Sequence, residues 1–94
     1  MPPREWVEAR IAGNDWAGLD LPAPEALRAT LLSGASTTVA DHFLQYDDGV
    51  VWYCNPYGVD GLLGAEPDLA LMRRFLTTVA LGQIYGPTPD TSSQ

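Results

Sequence analysis

Near the start of the chain, Trp6, Val7, Arg10 and Ile11 recur at helical spacing behind Pro2 and Pro3, with Gly13 and Asn14 as a stop. That pattern predicts a first helix over residues 3–12, because proline is tolerated at a helix entrance and glycine ends one. Glu5 falls near the positive end of its dipole. A turn-rich linker follows, in which Trp16, Leu19 and Leu21 are the side chains that pack it down. Leu27, Leu31 and Leu32 mark one face of a second helix that opens at Pro24, with Glu25 just inside, and stops at Gly34.

From Ser36 onward the period changes. Thr37, Thr38 and Val39 form one β-branched run, and Val50, Val51, Trp52 and Tyr53 form another that ends in aromatics. Asp48-Gly49 stands between them, and Asp-Gly flanked by such runs predicts a hairpin with a type I′ turn. A competing pattern, Val39, Phe43 and Tyr46 at i, i+4 and i+7, would make residues 37–46 a short helix. The hairpin is preferred. Residues 57–65 carry glycine at every third position (Gly58, Gly61, Gly64) and read as a loop. A last helix then opens with Pro67 at its first position and Asp68 in its first turn. Its stripe is Leu69, Met72, Leu76, Val79 and Ala80, reinforced by Phe75, and Gly86 with Pro87 ends it. The order is α-α-β-β-α: a small α+β fold, with an antiparallel hairpin covered on one face by helices.

A two-residue loop at Asp48-Gly49 fixes the register. Tyr46 faces Val51, Leu44 faces Tyr53 and His42 faces Asn55 on one side, with Tyr57 following. Gln45 faces Trp52 and Phe43 faces Cys54 on the other. Val39, Phe43, Val50, Trp52 and Cys54 are expected to meet the helices. The side holding His42, Tyr46, Tyr53, Asn55 and Tyr57 is then the open one, a set of polar-tipped aromatics suited to binding. Tyrosine also fits a pleated surface for purely structural reasons, and a lone histidine is more often a hydrogen-bonded structural group than a catalyst.

Length and composition narrow this picture. Ninety-four residues make one domain, with residues 1–86 globular and the residues from 87 to 94, which contain no apolar side chain, a disordered tail. The opening segment has no apolar stretch of a secretory leader, and no run approaches the about 18 apolar residues of a membrane span. Cys54 is the only cysteine, so no internal disulfide forms, and a reducing, cytoplasmic setting is expected. There is no lysine, and the free use of Ala, Gly, Pro, Leu and Arg reads as GC-rich bacterial coding bias.

Catalytic and metal signatures are weak. His42 and Cys54 project from opposite faces in this register, which breaks a nucleophile–base pair, and Cys54 is expected to be a small buried hydrophobe. One Cys and one His make no zinc set, and Asp41, Asp47 and Asp48 lack the spacing of a calcium loop. Gly58-x-x-Gly61-x-x-Gly64 is neither a dinucleotide fingerprint nor a phosphate loop. Arg73-Arg74, the one basic cluster, is expected to pair with nearby acids. Neither cofactor nor metal is expected.

Charge is the most informative remainder. Twelve acids against five arginines give −7, a sign that opposes binding to nucleic acid or to anionic membrane. Acids on the hairpin (Asp41, Asp47, Asp48) would steer a basic partner. The leading expectation is therefore a small acidic protein-binding domain or regulator. An inhibitor of the immunity or antitoxin type, docked on a basic macromolecule, is the natural example. Behind it stand an assembly subunit, homo- or hetero-oligomeric, using Leu69, Met72, Phe75, Leu76 and Val79, and then a small enzyme with His42 as its proton-transfer group.

Overall fold

The computed structural model describes residues 2–86; the expected tail, residues 87–94, lies outside them. Helix α1 spans Arg4–Ala12, and a 3₁₀ turn at Ala17–Leu19 leads to α2, Pro24–Leu32. Four strands follow: β1 Thr37–Val39, β2 His42–Asp47, β3 Val50–Cys54 and β4 Asp60–Gly64. Helix α3, Leu69–Ala80, completes the order. The strands form one antiparallel sheet in sequence order, β1-β2-β3-β4, with helices on one face. This is the α+β architecture expected, with a hairpin packed on helices and two strands beyond the expected pair.

Asp48 and Gly49 adopt φ of 52° and 75°, as a type I′ turn demands, and Asp47 pairs with Val50 across it. The register is the expected one, pair for pair: Tyr46 with Val51, Gln45 with Trp52, Leu44 with Tyr53, Phe43 with Cys54. The segment before it behaves differently. Ala40 and Asp41 have φ of 48° and 71° and reverse the chain, so Val39 pairs with His42 and β1 folds back beside β2.

That reversal moves Val39 to the side opposite Phe43, and the faces of the sheet are the inverse of those expected. In an unbroken strand Val39 and Phe43 would share a side; with the turn between them, Val39 joins His42, Leu44, Val51 and Tyr53 against the helices. Phe43 and Trp52 are instead 42% exposed each, and His42 and Asn55 are buried. Leu27 and Leu31 of α2, Met72, Phe75 and Leu76 of α3, and Trp16 from the linker complete the core.

The second correction is β4, expected as loop. Gly61 pairs with Tyr53, and a Cβ there would lie 2.6 Å from the Tyr53 ring; one at Gly64 would lie 2.6 Å from Leu71. Both glycines are spaces for neighbours rather than flexible joints. Helix α3 also shifts. Asp68 is its N-cap, accepting from the Leu71 amide at 2.8 Å, so Leu69 is exposed while Leu71 takes an inward place. The helix ends before Gly82, at φ 77°, short of the expected Gly86. Among the described residues no helix is long and apolar enough to cross a membrane.

Candidate functional site

The inner face holds most of the expected binding residues, and they are spent on structure. The His42 Nδ1–H donates to the Ala40 carbonyl at 3.2 Å, and Nε2 accepts from the Tyr85 amide at 3.1 Å. Both contacts together require the neutral Nδ1–H tautomer and leave neither nitrogen free. Asn55 Nδ2 donates to the Tyr85 carbonyl at 3.2 Å, and its Oδ1 accepts from the amides of Tyr57 and Val59. His42 and Asn55 therefore hold both backbone groups of Tyr85, as a neighbouring strand would, and strap the segment after α3 across the sheet. The Tyr85 ring lies edge-on to Tyr53 at 5.4 Å and tilted against Phe75 at 5.6 Å.

Of the other expected residues, Tyr46 lies at the rim of this face and donates to Glu66 Oε2 at 2.8 Å, while Tyr57 is exposed in the β3–β4 loop. Glu66 raises the Tyr46 phenol above its ordinary value, first through that bond; burial raises that of Tyr53. Asp47 and Asp48 sit together at the hairpin tip. Asp41 stands at the other end of β2, about 20 Å away at ~3.3 Å per residue. The three do not converge, and among the described residues no cluster of His, Cys, Asp and Glu could hold a metal ion.

The outer face was the one expected to be covered, and among the described residues no helix covers it. Strands β2, β3 and β4 present Phe43, Trp52 and Leu62 side by side, with Leu62 59% exposed opposite Trp52. Phe43, Gln45, Trp52, Tyr53, Cys54 and Asp60 line a shallow cavity of about 210 Å³. Cys54 is half-buried in its wall rather than enclosed, 3.6 Å from the Asn55 carbonyl. The Asp60 carboxylate beside it, first, and burial, second, push the thiol's pKa above its ordinary value. His42 and Cys54 stand on opposite faces, in keeping with the register.

Charge divides the molecule in the same way. All five arginines lie on helices, and none occurs between Arg28 and Arg73. Arg4 pairs with Glu8 and Arg10 with Asp15. Arg73, expected to find an acid, instead donates to Asn14 Oδ1 and the Ile11 carbonyl at the end of α1, with its guanidinium over Trp16. The strands and their turns hold Asp41, Asp47, Asp48 and Asp60 with no cation among them. Phe43 and Trp52 were in plain view in the sequence and were hidden by the choice of face; Leu62 was hidden by the reading of residues 57–65 as a loop.

No family model matches the chain, and no curated protein and no solved structure is significantly similar to it.

Proposed function

We propose that the protein is a small protein-binding domain that docks on a basic partner through the uncovered face of its sheet. The observation that carries this reading is the coincidence of an exposed apolar patch, Phe43, Trp52 and Leu62, with an acidic surround that holds no arginine or lysine. Apolar patches rimmed by polar groups mark interaction sites, and an uncompensated negative potential steers a cationic partner. An inhibitor that covers the basic surface of a cytoplasmic toxin or nuclease fits this size and charge.

The competing readings have less support. Proton transfer by His42 has no free ring nitrogen to work with. Assembly through α3 would need side chains that Met72, Phe75 and Leu76 have already buried in their own core. Self-pairing of the outer face would bring the acids Asp47 and Asp60 of two copies into one interface with no arginine or lysine of the strands to offset them.

Selection from a random peptide display library, with counter-selection on Phe43→Ser/Trp52→Ser, tests the proposal. The expected peptides interleave arginine or lysine with apolar residues, bind the wild type alone, and weaken as salt is raised. Acidic or uncharged winners, equal binding to the double variant, or self-association that this variant abolishes would overturn it.

A further inference from the structure

Resting on that docking face, we propose a defined subsite within it: the cavity between Phe43, Gln45, Trp52 and Asp60 receives an arginine side chain of the partner. Three features of the cavity converge on a guanidinium. Its walls include two aromatic rings, Phe43 and Trp52, each still 42% exposed, over which a cation is attracted by the ring quadrupole. The Asp60 carboxylate stands on β4 directly across from Cys54, exposed and in no ion pair among the described residues. Gln45 lies in the same wall and makes no side-chain hydrogen bond within the described chain, so its amide oxygen is available as a further acceptor.

Arginine suits this set better than lysine. A planar guanidinium stacks on an aromatic face and still directs a pair of N–H groups at a carboxylate, whereas an ammonium is a strongly hydrated point charge without that fork. The volume agrees: a cavity of about 210 Å³ has room for a guanidinium with its adjoining methylenes. Among the described residues no ion pair occupies Asp60: Arg4 and Arg10 pair with Glu8 and Asp15, and Arg73 is committed to Asn14, Ile11 and Trp16.

The test is a nuclear magnetic resonance titration with N-acetylargininamide, followed at the Trp52 indole N–H. N-acetylcitrullinamide, N-acetyllysinamide and N-acetyl-trimethyllysinamide serve as comparators. The arginine compound should shift the Trp52 signal saturably and leave Trp6 and Trp16 in place, citrulline should not bind, and lysine should bind more weakly. Asp60→Asn should weaken arginine about tenfold, the scale of one charge-assisted interaction. Asp60 is exposed and contributes its backbone to the sheet, so this variant keeps the fold. Equal shifts from citrulline, preference for the trimethylated lysine, or an unchanged Asp60→Asn would overturn the arginine assignment. The two proposals fail separately. If the selected peptides lose Phe43→Ser/Trp52→Ser but bind Asp60→Asn at full affinity, the docking face stands and the subsite falls. If argininamide binds as described and no basic peptide does, the subsite stands without the docking role.

Discussion

Phe43 and Leu44 are consecutive residues of one strand; the first is 42% exposed and the second fully buried. The sheet they belong to has its chemistry distributed against the usual expectation. Its inner face contains an imidazole, an amide and a phenol (His42, Asn55 and Tyr53), while its outer face offers plain hydrocarbon and an indole, Phe43, Leu62 and Trp52. Burying a polar group is costly unless its hydrogen bonds are met. Inside this sheet His42 and Asn55 are met, because the backbone of Tyr85 arrives to use them. Outside, the apolar groups have no cover among the described residues, and their exposure is what the docking proposal rests on. Polarity alone does not tell a site from a core; whether the polar atoms already have partners does.

The contrast is broken most sharply by truncation. Phe75 is fully buried, edge-on to His42 at 5.5 Å and tilted against Tyr85 at 5.6 Å. Phe75→Ala should lower the unfolding free energy by about 3–5 kcal/mol, a large part of the ~5–15 kcal/mol that holds a domain together. Phe43→Ala, on the outer face, should change it by less than ~1 kcal/mol. Urea unfolding midpoints compare the two, and similar losses would mean that the outer face is covered. A step smaller is Asn55→Ala. It strands the amides of Tyr57 and Val59 and the Tyr85 carbonyl, and should cost about 1–3 kcal/mol, with faster hydrogen exchange at those two amides. Asn55→Asp keeps both accepting contacts but sets a carboxylate oxygen against the Tyr85 carbonyl where Nδ2 donated, so at neutral pH it should cost at least as much as the alanine change. If it unfolds no more readily than the wild type, the donation to Tyr85 is not what Asn55 secures.

How much of this was legible follows from how local each signal is. Asp48-Gly49 specifies its own turn, and the turn specifies the register, so every β2–β3 pair could be written down from sequence. The Ala40-Asp41 reversal is also local but carries a poor label, since alanine rarely adopts φ of 48°. Strand β4 was masked by glycines that look like flexibility and are close packing, against Tyr53 and Leu71. The choice of faces had no local label at all. A period of two says that Phe43 and Leu44 oppose each other, not which is inside. That is decided by Phe75 and by Tyr85, which lies 43 residues beyond His42 and 30 beyond Asn55. The candidate site inherited the same ambiguity: its aromatic residues changed sides, and its acids Asp41, Asp47 and Asp48 stand at opposite ends of β2.

The smallest effect separates rim from interior through two tyrosines. Tyr46 has its pKa raised chiefly by the hydrogen bond to Glu66, and Tyr53 chiefly by burial, with Tyr85 adding to it. A phenol whose folded pKa is raised holds its proton more tightly when folded. Its contribution to stability is thus fully present below the unfolded value of about 10, and is lost as pH rises through the higher folded values. Stability should therefore fall on the alkaline side from these two groups. Glu66→Gln should return the Tyr46 phenol toward its ordinary value and leave Tyr53 where it is, because the causes differ. Ring resonances followed through an alkaline titration read each tyrosine separately. If Tyr46 does not move in the variant, the 2.8 Å contact is not what raises it, and the rim of the inner face is as enclosed as its centre.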